Sequence, residues 1–237
     1  MGPMTAEVAE SAENTVSAEN TGAVQVTDVA DVARIWATGW TVSRRTPRPT
    51  ERPWGVYMEV GSPDRVGRHV LLEPSADVVR AAAASVEAPH TWLEVPAEPR
   101  DVEPWLPAGW AIDEEESGHL MAVALRPTEP VAPDGYTASV ETDDGVTFVR
   151  VHDGAGELAA QGQMAVLGHA TVVDRVVTQE AHRRRGLGSF VMRTLAAEAL
   201  ARGARLGVLG ATPEGRALYE TLGWHRSAPL TSCVYRP

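Results

Sequence analysis

An apolar, β-branched run, Thr171-Val172-Val173-Asp174-Arg175-Val176-Val177-Thr178, is followed by a run of helical periodicity from Leu187 to about Ala201. The turn into the helix reads Arg183-Arg184-Arg185-Gly186-Leu187-Gly188. This join constrains the fold more than any other feature of the chain. A strand that turns through glycines into a helix leaves backbone N–H groups unpaired, with the positive end of the helix dipole behind them. Such a helix start binds phosphate anions. Gly186 and Gly188 lack Cβ, so the turn can be tight and a diphosphate can approach closely. The arginines add charge for the same anion. No Lys-Ser/Thr follows the last glycine, so the turn is not a nucleoside-triphosphate P-loop, and it is too short for a G-x-G-x-x-G dinucleotide fingerprint.

Two later segments belong with this turn. Leu206-Gly207-Val208-Leu209-Gly210-Ala211 reads as a buried strand, and Glu214 to Leu222 as a helix that Pro213 starts at its first turn. That helix runs into Ala217-Leu218-Tyr219-Glu220-Thr221-Leu222-Gly223-Trp224, where Gly223 suits a left-handed C-cap. Arg183-x-x-Gly186-x-Gly188 resembles the acyl-CoA pyrophosphate loop of the GNAT N-acetyltransferase superfamily. The second segment resembles that superfamily's A-x-x-Y-E-x-L-G-F/W signature. The resemblance covers about residues 136–237.

The resemblance implies acetyl-CoA as co-substrate. It implies that Val176, Val177 and Thr178 pair with the pantetheine arm, a backbone N–H there polarising the thioester carbonyl. It also implies that Arg183, Arg184, Arg185, Gly186, Leu187, Gly188 and Ser189 hold the pyrophosphate. Tyr219 matches the tyrosine that protonates the departing CoA thiolate. Two positions depart from the family's usual pattern: Thr212 stands where it often has Asn and Gly215 where it often has Ala, which puts the start of that helix in question.

For the general base, Asp174 ranks first, because a lone carboxylate in an apolar strand is costly unless used or paired. Glu180 and His169 are the alternatives, and a water relay with no single base is another. On the acceptor side, Trp40 and Arg44 stand out in Trp36-Ala37-Thr38-Gly39-Trp40-Thr41-Val42-Ser43-Arg44-Arg45, which leads into a Pro-rich loop. A guanidinium there suits a bidentate clamp on a substrate carboxylate, or a surface ion pair.

Residues 1–22, rich in Ala, Glu, Ser, Thr and Asn, read as a disordered tail. Residues 23–126 read as an N-terminal domain, with a helix over 29–38, a loop from Trp40 to Pro53, strands at 56–60 and 69–72, a helix over 77–86, a strand at 91–95, a short helix over 99–106 and closing strands. Pro127, Pro130 and Pro133 mark a linker. Residues 135–237 read as the acetyl-CoA-binding domain, an antiparallel meander followed by strand–helix–strand–helix–strand, an α+β pattern. The resemblance implies a mixed, mostly antiparallel sheet flanked by helices. The first domain echoes the second in order, Leu106-Pro107-Ala108-Gly109-Trp110 against Leu222-Gly223-Trp224. Two tandem GNAT-like halves, the first without its phosphate loop, are expected, with an unrelated N-terminal lid as the alternative. The second half lacks helices between its first strands, so the first is expected to supply the acceptor-side wall.

At 237 residues and 43% apolar content, a sizeable core is available. A net charge of −11 argues against a general nucleic-acid binder. Cys233 is the single cysteine, no apolar run reaches membrane-spanning length and no secretory pattern opens the chain, so a cytoplasmic location without a membrane partner is expected. The seven histidines are scattered, and no metal constellation is visible. The expected activity is acetyl transfer from acetyl-CoA to a primary amine of a small molecule, an amino acid or related metabolite among the candidates. A protein N-terminus as acceptor and a non-catalytic acyl-CoA-binding module are the alternatives, and a homodimer stays open.

Overall fold

A computed structural model describes residues 28–237, so the tail expected over 1–22 lies outside the described residues. The first helix, α1 (Val29–Arg44), is capped by Asp28, whose side chain accepts from the Ala30 amide, and it ends in a left-handed Arg45. It outruns the helix expected over 29–38 and takes in Trp40 and Arg44, which the sequence placed in a loop. The reason is long-range. Gly39 lies against β10 (Ala170–Thr178) so closely that a Cβ there would collide with the Val172 side chain. The glycine that weakens the helix locally is what lets it seat on the sheet.

The N-terminal half continues with β1 (Thr50–Arg52), β2 (Gly55–Ser62), β3 (Arg65–Leu71), α2 (Ala76–Ala84), β4 (Thr91–Val95), α3 (Pro99–Val102) with a 3-10 turn at Glu103–Trp105, β5 (Trp110–Ile112) and β6 (Gly118–Ala124). The C-terminal half comprises β7 (Thr137–Asp143), β8 (Val146–His152), β9 (Leu158–Leu167), β10, a 3-10 turn at Glu180–His182, α4 (Leu187–Ala201), β11 (Leu206–Ala211), α5 (Pro213–Thr221) and β12 (His225–Tyr235). Among the described residues, no helix is long and apolar enough to cross a membrane.

The twelve strands of the described residues form one mixed, mostly antiparallel sheet in the order β1-β2-β3-β4-β12-β6-β11-β10-β9-β8-β7, with β5 pairing β12. Each half contains one parallel pair joined through a helix: β3 with β4 across α2, and β10 with β11 across α4. The halves also exchange strands. β6 lies between β11 and the first part of β12, while the second part of β12 lies between β4 and β5.

Three cores follow from this arrangement. α4 and α5 pack on the sheet through Val191, Leu195, Met164 and Trp224. α2 and α3 do the same through Val79, Leu93 and Val102. α1 lies across strands of both halves through Val32, Trp36, Met58, Val70, Val172 and Val208. Trp36, on the apolar face of α1, is buried with its indole over Gly210.

Candidate acyl-CoA site

β10 and β11 are hydrogen-bonded neighbours only over their first residues, from Ala170↔Leu206 to Val172↔Val208. Beyond that β11 stays paired to β6 through Ala211, while β10 follows β9. The two parallel strands therefore part, and the stretch Val173–Thr178 has no partner on the β11 side. On the other side the register slips between Asp174 and Val177, so Arg175 and Val176 have no partner on β9. Arg175 sits at φ +52 within this bulge, which tilts the strand and re-aims its backbone. Val177 is exposed at 46% although it is a strand valine. Val176, Val177 and Thr178 thus line a gap on the β11 side of the strand, where the Thr178 carbonyl accepts from Arg183 Nε at 3.5 Å.

The gap leads to the start of α4. Arg184 and Gly186 are both left-handed, at φ 63 and 79, and no side chain caps the helix. The first helical bond runs from the Phe190 amide to the Gly186 carbonyl. Among the described residues, the amides from Arg184 to Ser189 make no hydrogen bond within the chain. No acidic residue occupies the first turn, and none of Arg183, Arg184 and Arg185 pairs with a carboxylate among the described residues. An anion is the partner that such a set of donors accepts.

Arg185 is steadied by groups that the sequence did not point to. Its Nη1 donates to the Tyr136 hydroxyl at 3.1 Å, and that oxygen lies 3.0 Å from His182 Nδ1. His182 Nε2 stands 3.8 Å from Asp153 Oδ2. The Asp153 carboxylate accepts the Glu157 and Ala155 amides and is held below its ordinary range, backbone hydrogen bonding being the main cause. Tyr136 and His182 lie 46 residues apart, and no local pattern joins them.

Tyr219 lies on α5, buried, with its ring 6.2 Å from that of Trp224. Burial first, and then the Asp174 charge, push its hydroxyl up to about 12. The phenol therefore keeps its proton at neutral pH, and the carboxylate at the β10 bulge is near enough to act on it. The two unusual residues of this helix have clear roles. Thr212 Oγ1 accepts the Gly215 amide at 3.1 Å, capping α5. A Cβ at Gly215 would stand 3.1 Å from Tyr219 Cε2, so the glycine leaves room for the ring.

The remaining expected residues come together differently from their sequence reading. Arg44 Nε donates to Asp174 Oδ2 at 2.7 Å and Arg44 Nη2 to Oδ1 at 2.8 Å. The carboxylate in the Arg44 fork is thus the chain's own. Arg44 has no free fork for a substrate carboxylate, and the lone pairs of Asp174, which also accept from Ser43 Oγ and the Arg175 amide, are committed to donors. This one pairing engages both side chains with each other. Trp40 is buried beside it, with the Arg44 and Arg68 guanidiniums 4.8 and 5.7 Å from its ring centre, so it packs between cations instead of presenting an open wall. His169 lies in the turn before β10, at the opposite end of the strand from the gap, and Glu180 is exposed after the strand. A cavity of about 810 Å³ between the start of α1, the end of β6 and the middle of α4 is lined by Val32, Leu125, Met192 and Trp224, and by none of these site residues.

A parting strand pair that ends on an open, basic helix start suits an extended ligand with an anionic group at one end. Residues 112–224, which hold that strand pair and helix start, match the acetyltransferase (GNAT) family. The chain's fold is similar to that of a GCN5-related N-acetyltransferase from Kribbella flavida, at TM-score 0.63 and 19% identity, over 87% of this chain and 95% of that one. It is also similar to a protein of the GNAT family from Novosphingobium aromaticivorans, at TM-score 0.56 and 17% identity, over 89% and 100% of the two chains. No curated protein matches the chain.

Proposed function

We propose that this protein transfers the acetyl group of acetyl-CoA to the primary amine of a small molecule by direct attack in a ternary complex. The observation that carries the reading is the continuity of the unpaired edge of β10, from Val176 to Thr178, with the open amides of Arg184–Ser189. Pantetheine extends the sheet along that edge, and the pyrophosphate takes the helix start, with Arg183 and Arg185 beside it. CoA and amine held together in this way can remove roughly 7–11 kcal/mol from the barrier. At the bulge, the Val176 amide polarises the thioester carbonyl as the tetrahedral oxyanion forms. Tyr219, still protonated, donates to the CoA sulfur as the intermediate collapses. With the Asp174 oxygens engaged by Arg44, Ser43 and Arg175, the amine loses its proton through water.

The Arg44–Asp174 pair also removes the residue on which a preference for amino acids rested, so the acceptor class is a small amine without a required carboxylate. The test is a thiol-release assay with acetyl-CoA and a panel of polyamines, amino sugars, amino acids and short peptides. Release with a small amine supports the reading. Release with peptides alone makes a protein N-terminus the acceptor. Binding of acetyl-CoA without release from any member marks a non-catalytic acyl-CoA module.

A further inference from the structure

Arg175 adopts a left-handed conformation although it carries a side chain, a strained state kept only where surroundings enforce it. What enforces it comes from both halves. The Arg175 amide donates to Asp174 Oδ1 at 2.9 Å. That carboxylate is gripped by the fork of Arg44, at the end of α1, and by Ser43 Oγ at 3.2 Å. Ser43 is itself fixed from β9: Gln163 Nε2 donates to the Ser43 carbonyl at 2.7 Å and approaches its hydroxyl at 2.8 Å. Gln163 is the register partner of Asp174, at the last pair before the bulge. A closed ring of contacts, Gln163–Ser43–Asp174, with Arg44 stacked on Trp40 behind it, thus surrounds the point where β10 leaves regular pairing.

We propose that Arg44 is a positioning residue for the thioester site. Acting through Asp174, it fixes the backbone at Arg175–Val176 and so aims the Val176 amide at the thioester carbonyl. This rests on the acetyl-transfer reading above. A fork is needed, because two parallel N–H···O bonds set the plane of the carboxylate, whereas an ammonium supplies a point charge without orientation.

The experiment compares wild type with Arg44→Gln and Arg44→Lys. Acetyl-CoA affinity is measured by calorimetry, turnover by thiol release, and carbonyl polarisation by the infrared stretch of bound acetyl-CoA labelled with ¹³C at the acetyl carbonyl. Misplacement of a reacting group by about 1 Å costs about 10²-fold in rate. Arg44→Gln is expected to lose kcat on that scale, with acetyl-CoA Kd within about threefold and the carbonyl stretch moved toward its value in free acetyl-CoA. Arg44→Lys is expected to fall between, and millimolar guanidinium, but not methylammonium, to restore part of the Arg44→Gln rate. Arg44→Gln with wild-type kcat and carbonyl stretch overturns the proposal. So does a variant whose rate loss is only a displaced acid limb of the pH–rate profile, because that marks Asp174 as the base. A variant that merely unfolds is replaced by Ser43→Ala, for which the same stretch and kcat changes are expected in smaller measure. Wild-type protein that binds no acetyl-CoA overturns the acetyl-transfer reading and this inference with it. Wild-type turnover with unaffected variants overturns this inference alone.

Discussion

Helices α2 and α4 each follow one strand and precede its parallel neighbour, yet they begin in opposite ways. At α2, the Ser75 hydroxyl takes the Val78 amide, its carbonyl takes the Val79 amide, and Asp77 places a negative charge in the first turn. At α4, a left-handed Gly186 stands in the capping position with no side chain to offer, and three arginines precede the helix. The strands differ in the same sense. β3 and β4 stay paired up to Val70↔Glu94, at their ends, whereas β10 and β11 part after Val172↔Val208. One half satisfies its own donors and repels anions; the other leaves its donors for something else. The difference teaches that a single scaffold serves stability or ligand binding according to whether its helix start is filled from within.

The sharpest way to break this contrast is at the tyrosine. Tyr219→Phe is expected to lower kcat by about 10²–10⁴-fold with acetyl-CoA binding unchanged, because only the late proton donor is lost. Trp105→Phe, in the corresponding short turn of the first half, is expected to leave kcat unchanged. Steady-state thiol release checks both, and a drop of less than threefold in Tyr219→Phe would show that water protonates the sulfur.

Acid separates the halves next. Burial, and then the Arg52 charge, hold the His69 imidazole in the first half down to about 4. The unfolded chain takes up this proton near its ordinary 6.5, so folded stability is full above that pH and falls as pH drops toward 4. The separation corresponds to a loss of up to about 3 kcal/mol. Urea titrations at pH 7 and pH 4.5 are expected to show that loss, and His69→Gln to flatten it. A pH dependence equal in wild type and variant would assign the loss to other groups.

A smaller effect is expected at the phosphate loop. A Cβ at Gly188 would meet Leu218 Cδ2 at 2.9 Å, the movable end of a side chain, so the fold can adjust. Gly188→Val is expected to weaken acetyl-CoA binding about tenfold, equivalent to about 1.4 kcal/mol, with little change in Tm. Calorimetry and thermal melts together check this, and unchanged affinity would remove the loop from the binding site. The smallest effect belongs to the filled helix start. Ser75→Ala is expected to cost about 1 kcal/mol of stability through the lost cap, without altering acetyl-CoA affinity in the same calorimetric titration.

What the sequence revealed of this contrast was local. The strand, glycines and helix around Gly186 are contiguous, and so are Tyr219 and its capped helix, so these local elements were legible in the sequence, and the resemblance to the GNAT superfamily supplied their acyl-CoA reading. The order of elements likewise led to the expectation of two tandem halves, and each half holds one parallel strand pair joined through a helix. What the sequence hid depends on distant pairs. Asp174 stood out as a carboxylate in an apolar strand, but its partner lies 130 residues away, so an ion pair looked like a base and a clamp. The extension of α1 to Arg44 was hidden for the same reason, because Gly39 and its β-branched neighbours are poor helix formers until Val172 packs against them. Gln163 carried a usable signal, a buried polar residue in the apolar run of β9.

The exchange of β6 and β12 has a consequence for how such a chain is made. Synthesis delivers β6 before β11 and the first part of β12, between which it will lie, so it emerges from the ribosome with neither neighbour yet present. The slot between β4 and β5, in turn, waits for β12, which follows every other strand. Neither half can close before the other has been translated, and an open strand edge invites foreign pairing in the interval. A cut anywhere in the linker separates each half from a strand of its own sheet, so the two fragments would have to be produced together to regain one cleft.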